Sequence, residues 1–307
     1  MRRVVSRRAA SLRAVTGAAV AVVIAAVVGV AATLGGTSGA PARRAGVRVS
    51  YYLSLGDSLS QGVQPDSAGA SVPTRQGYAD LLYAQLRRGD PGLRLVKLGC
   101  SGETTHTMIN GGICSYPGGS QLAAAASFLR GRRGRVSLIT IDIGANDPDS
   151  CVTRSSFGGA AACMATSSTD TLINLRKIMT TLRSAGGARV RIIGMSYYVP
   201  TLAQWRHGLL GEALARISEA VVVGYNRLLT GVYQAFGARV ADVFGAFHSG
   251  NFSGQVTMRG IGPVPPNVAA ICRLTWECAS GPRGPNEHAT AAGYSVIAQA
   301  FRRADLG

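Results

Sequence analysis

The stretch Val49-Ser50-Tyr51-Tyr52-Leu53-Ser54-Leu55-Gly56-Asp57-Ser58 reads as a β-strand that stops at a glycine, with a serine two residues beyond it. Aromatic and aliphatic residues favour a buried strand, and Gly56 punctuates its end. Outward from it, residues 77–88 carry Tyr78, Leu81, Leu82 and Leu86 at helical spacing. Residues 93–98 form a second expected strand and residues 136–143 (VSLITIDI) a strong third. A helix is expected over 170–182, where Leu172, Leu175, Ile178, Met179 and Leu182 fall on one stripe. Residues 190–195 and 239–243 complete five strands. They flank a long helical pattern over 209–236 that Gly224 or Gly231 is able to break. Residues 289–303 close the chain as a helix. Strands alternating with helices predict one α/β domain with a mainly parallel sheet covered on both faces. Such sheets place chemistry at the carboxyl ends of their strands.

Composition narrows the function. The 307 residues are 47% hydrophobic and only 15% charged, which excludes a disordered chain. The net charge of +17 comes from 32 basic residues, of which only Lys97 and Lys177 are lysines. Seven arginines precede residue 46, where no acidic residue occurs; without them 25 basic residues face 15 acidic ones. No basic block interleaves with aromatics, so a nucleic-acid partner is not expected.

Arg2, Arg3, Arg7, Arg8 and Arg13 precede an uncharged run over 14–34, followed by small residues ending in Ala40-Pro41-Ala42. This pattern predicts export. Residues 1–45 are a cleaved signal peptide or a retained membrane anchor with a short linker, and 46–307 work outside the cytoplasm. Six cysteines allow fifteen pairings, and logic alone does not choose among them. Local closure of Cys100/Cys114, Cys151/Cys163 and Cys272/Cys278, each within a Gly-, Ser- or Pro-rich loop, is the economical proposal. A zinc site would need C-x-x-C spacings, which the chain lacks.

Four blocks stand out at strand ends and in a late loop: Gly56-Asp57-Ser58, Ser101-Gly102-Glu103-Thr104-Thr105, Gly144-Ala145-Asn146-Asp147 and His288-Ala289-Thr290-Ala291-Ala292-Gly293-Tyr294. Read one at a time, Ser58 is also a helix cap, Gly102 a turn residue, and Asn146-Asp147 a turn pair. In this order, over about residues 50 to 303, they resemble the SGNH hydrolase superfamily, the GDSL esterases and lipases. Export and six cysteines are similar to its secreted actinobacterial branch, which often carries three local disulfides. The resemblance implies a flavodoxin-like three-layer α/β/α sandwich with a central parallel five-stranded sheet in the order 2-1-3-4-5. It also implies an SGNH hydrolase domain over 46–307 that cleaves carboxylic esters, small or lipid, with no metal or other cofactor, as a monomer. Asp142, Asp147 and Asp149 then belong to a strand and a turn, with Asp142 mid-strand, and not to a cation site.

Mapped onto this chain, the resemblance makes Ser58 the nucleophile and His288 its base. The Ser58 N–H, the Gly102 N–H and the Asn146 amide form the oxyanion hole. The family usually has Asp three residues before the histidine, and Pro285 stands there instead. The group that orients the imidazole is then open. The Pro285 carbonyl is the preferred reading; the Asn286 side chain, Glu287 or a distant carboxylate are the alternatives. The missing Asp also motivates a second class, a degenerate domain that binds an acylated or glycan ligand without turnover. Within the enzyme class, simple esters, lipids and O-acetylated glycans all suit the site. His106 is expected near the substrate entrance, whereas His207 and His248 read as surface or structural residues.

Overall fold

The computed structural model describes residues 48–148, 151 and 157–306. The expected export segment and Asp149 lie outside them. Among the described residues the strands in chain order are β1 (Ser50–Gly56), β2 (Gln64–Pro65), β3 (Ser71–Val72), β4 (Leu93–Lys97), β5 (Val136–Asp142), β6 (Arg191–Met195), β7 (Arg239–Ala241), β8 (Val256–Met258) and β9 (Gly262–Val264). Five of them form one parallel sheet, ordered β4-β1-β5-β6-β7. Counted in chain order these five run 2-1-3-4-5, as the resemblance implies. The pairs β2/β3 and β8/β9 are short antiparallel ladders that sequence reading missed.

The helices are α1 (Ser58–Gln61), α2 (Tyr78–Leu86), α3 (Thr105–Asn110), α4 (Gln121–Gly131), α5 (Phe157–Gly186), α6 (Gly208–Ala235), α7 (Val243–Ala246), α8 (Pro266–Leu274) and α9 (Ala291–Leu306), with a 3-10 turn at Pro200–His207. Helices α2 and α9 pack together on one face of the sheet; α4, α5 and α6 pack in sequence on the other. This is what right-handed crossovers produce when the chain steps from β1 out to β4 and back across to β5. The reversal leaves a crevice beyond the carboxyl ends of β1 and β5, the place where such sheets bind ligands.

Central strands are buried on both faces, so β1 holds Tyr52, Leu53 and Leu55 fully buried and β5 holds Leu138, Ile139 and Ile141. Leu53 lies between Val96 of β4 and Ile139 of β5. The stripe Leu175, Ile178, Met179 and Leu182 is the buried face of α5, as its spacing requires. That helix starts earlier than expected, however, and takes Cys163 into its first turns. Cys272 likewise sits on α8. The Cys272–Cys278 pair therefore joins a helix to a turn, while Cys151 and Cys163 are both helical. All three local disulfides are present: Cys100–Cys114, Cys151–Cys163 and Cys272–Cys278. Helix α6 runs unbroken through Gly224 and Gly231, both of which lie on its exposed face.

Candidate active site

The turn that carries Ser58 is built around a residue that cannot carry a side chain. Gly56 ends β1 at φ 130°, and a Cβ there would lie 2.1 Å from the Asp142 carbonyl oxygen. Any other residue would strain the backbone and collide with β5. Asp57 then caps α1, its Oδ1 accepting from Leu59 N at 2.9 Å. Ser58 is the first residue of that helix and is half-buried. Among the described residues, Ser58 Oγ has no hydrogen-bond partner, and none joins it to His288.

Gln121, at the start of α4, grips the same turn. Gly56 N donates to Gln121 Oε1 at 2.7 Å, and Gln121 Nε2 donates to Gly56 O at 3.0 Å and to Glu103 Oε2 at 3.0 Å. Gln121 and Glu103 are both buried. The first and second blocks are thus tied through one amide that sequence reading passed over. Cys100 N adds a 3.0 Å bond to Gly56 O. Gly102 sits exposed at φ 78° with open space around its Cα, so the glycine is there for backbone shape.

The second and third blocks meet directly. Asn146 Nδ2 donates to Glu103 O at 2.9 Å, which fixes the amide and leaves its second hydrogen uncommitted. The Asp147 carboxylate accepts from Thr105 N at 2.9 Å, from Thr105 Oγ1, and from Thr171 Oγ1 at 3.0 Å. Burial pushes Asp147 up, against the pull of these donors. Tyr225 of α6 donates to Gly144 O at 2.7 Å. A cleft of about 690 Å³ opens alongside, walled by Thr104, His106, Asp147, Asp170, Ile173 and Asn174 among others. His106 lines this cleft, while Ser58 and His288 are not among its walls.

His288 precedes α9 in a loop pinned from three sides. Tyr198 Oη donates to Glu287 O at 2.8 Å, and Trp276 N donates to His288 O at 3.1 Å. Asn286 N donates to Trp276 O at 3.3 Å. The Asn286 side chain turns back so that Oδ1 accepts from His288 N at 3.0 Å and lies 2.8 Å from His288 Nδ1. The ring thus faces the Asn286 oxygen and not the Pro285 carbonyl that sequence reading preferred. The reason is local: an Asx turn brings a side-chain oxygen to the i+2 position, where the ring also starts. Burial pushes the imidazole down from 6.5 to about 4, so it is neutral near pH 7. Helix α9 also reaches the serine turn: Tyr294 Oη donates to Val63 O at 2.8 Å, and Val63 N to Ser58 O at 3.1 Å.

These blocks gather polar groups at the carboxyl end of a three-layer α/β/α sheet, the architecture of SGNH hydrolases. Among solved structures, the extracellular lipase of Streptomyces rimosus has this fold with a TM-score of 0.55 at 19% identity. The match covers 83% of this chain and 100% of that one. The lipase Lip_vut3 from a goat rumen metagenome gives 0.53 at 17%, covering 84% of this chain and 99% of the other. No curated protein matches the sequence. The chain belongs to the GDSL-like lipase/acylhydrolase family, whose pattern it matches over residues 54–295. It is a hydrolase of the kind that acts on esters.

Proposed function

We propose that the protein is an exported serine ester hydrolase working through a Ser58–His288 dyad. The observation that carries this reading is the 2.8 Å approach of Asn286 Oδ1 to His288 Nδ1. An amide oxygen there holds the proton on Nδ1 and leaves Nε2 as the lone-pair nitrogen, the form a general base needs. Ser58 Oγ attacks the ester carbonyl as its proton passes to Nε2, and the carbonyl electron pair moves onto oxygen. The Ser58 N–H, the Gly102 N–H and the free hydrogen of Asn146 Nδ2 receive that charge. Collapse expels the alkoxide, which takes the proton from the imidazolium. Water then repeats the sequence on the acyl-enzyme and releases the acid. No metal or other cofactor enters these steps.

Export through residues 1–45, cleaved or retained as an anchor, fits a domain with three disulfides, which persist in oxidising compartments. No helix among the described residues is long and apolar enough to cross a membrane. The test is hydrolysis of p-nitrophenyl esters from acetate to palmitate by wild type, Ser58→Ala and His288→Ala. Each substitution is expected to lower kcat at least about 10³-fold. A Ser58→Ala protein as fast as wild type would end the proposal.

One observation favours a second reading of the substrate. The cleft between α3 and α5, which Ser58 and His288 do not line, carries hydroxyl, amide, imidazole and carboxyl groups around Ile173 and the Cys151–Cys163 disulfide; its polar groups suit a hydrated alcohol portion better than a long acyl chain. On that reading the substrate is an O-acetylated glycan. Acetate release from an acetylated oligosaccharide, compared with p-nitrophenyl palmitate hydrolysis, separates the two.

A further inference from the structure

Asp142 is a fully buried carboxyl at the last position of β5, not in mid-strand as sequence reading had it. A buried acid costs free energy unless every contact is put to use. Here the contacts converge on one place. The Asp142 carbonyl oxygen accepts from Asp57 N at 3.1 Å, and its Oδ2 accepts from Ser60 N at 3.0 Å. Its Oδ1 accepts from Tyr78 Oη. One residue of β5 therefore holds the backbone on the near and far sides of Ser58. Gly56 makes this approach possible, because a Cβ there would lie 2.7 Å from Asp142 Oδ1. Tyr78 in turn stacks on Phe301 of α9 at 4.5 Å, the helix that follows His288. The Asp57 carboxyl is buried in the same place and pairs with the Asp142 carboxyl, a hydrogen bond that requires one of the two acids to keep its proton.

We propose that Asp142 is a positioning residue for the nucleophile, fixing the Ser58 hydroxyl and N–H by suspending Asp57 and Ser60 from a single residue of β5. The inference rests on the reading of Ser58 as the nucleophile. It explains why an acid ends a buried strand and why the residue beside it in β1 is glycine. Ser58 has neighbours held at both ends, so its Cα–Cβ direction and its N–H direction are set before substrate arrives.

The test compares Asp142→Asn, Asp142→Ala and Tyr78→Phe by kcat and KM on p-nitrophenyl acetate. Ser58 labelling rate by a fluorophosphonate probe and thermal melting are measured alongside. Asp142→Asn keeps an oxygen for Ser60 N and is expected within about 10-fold of wild-type kcat. Asp142→Ala is expected to lose about 10²-fold in kcat and in labelling rate with KM little changed, the scale of a nucleophile displaced by about 1 Å. Tyr78→Phe keeps the ring stack and is expected to lower kcat about 3- to 10-fold, so the proposal stands or falls on it where Asp142→Ala does not fold. Folded Asp142→Ala with wild-type kcat, or losses in all three variants that follow melting temperature alone, would overturn it. An inactive wild type, or an active Ser58→Ala, would instead refute the reading of Ser58 and is recognised separately.

Discussion

At the scale of single residues, the proposed dyad has a neutral amide oxygen beside His288 Nδ1, in place of a charged orienting group. A carboxylate beside the imidazole would favour its protonated form and raise its pKa; an amide oxygen orients the ring without doing so. Burial then acts unopposed and brings His288 to about 4. The acidic limb of kcat/KM is accordingly expected well below the ordinary imidazole value, because the base stays deprotonated there. Asn286→Asp should move that limb upward by about one pH unit or more, and Asn286→Ala should lower kcat about 10- to 100-fold by freeing the ring. A pH–rate profile of the three proteins checks both. An Asn286→Ala enzyme with unchanged kcat would return the orienting role to another group, the Pro285 carbonyl first.

At the scale of elements, loops are held by covalent and polar ties while the sheet supplies the frame. The Cys100–Cys114 disulfide spans 14 residues and closes the segment that carries Gly102, Glu103 and α3. A loop of this size restricts the unfolded chain by about 3 kcal/mol. Replacing both cysteines by serine should lower unfolding free energy by roughly that amount in a urea titration. It should also slow turnover, since the Gly102 N–H would lose its fixed position. The elements themselves were legible where a periodicity was long enough to see. The five strands and helices α2, α6 and α9 lie within a few residues of their expected ends, and α5 extends well beyond its predicted start. Helices α3, α4 and α8 went unseen. Helix α4 is an Ala-rich run with a weak apolar stripe, and α3 is one and a half turns held by a Thr104–Thr107 capping box.

At the scale of the whole molecule, buried charge couples stability to pH. Burial raises Asp57 to about 7, and burial followed by the neighbouring Asp57 charge raises Asp142. Two carboxyls so placed keep a proton that the unfolded chain has lost. Their contribution is complete below the ordinary carboxyl value and disappears as pH rises through the folded values. His288 acts in the opposite sense: its folded value lies below 6.5, so stability falls as pH drops from 6.5 towards 4. Asp142→Asn removes one of the raised acids. Its melting temperature relative to wild type should therefore rise as pH climbs above the ordinary carboxyl value, as read by calorimetry. What the sequence by itself determined was the alternation of strands and helices, the four blocks, and the nearness of cysteines that pair. These follow from side-chain periods of 2 and 3.6 and from short chain separations, which are local properties. Only the tertiary structure decided that Gln121 grips the serine turn, that Asp142 holds both sides of Ser58, and that Asn286 faces the imidazole. The first two contacts depend on which elements lie side by side; the third is a local Asx turn, held in place where Tyr198 and Trp276 pin its loop. Those arrangements exist only once the whole sheet has formed.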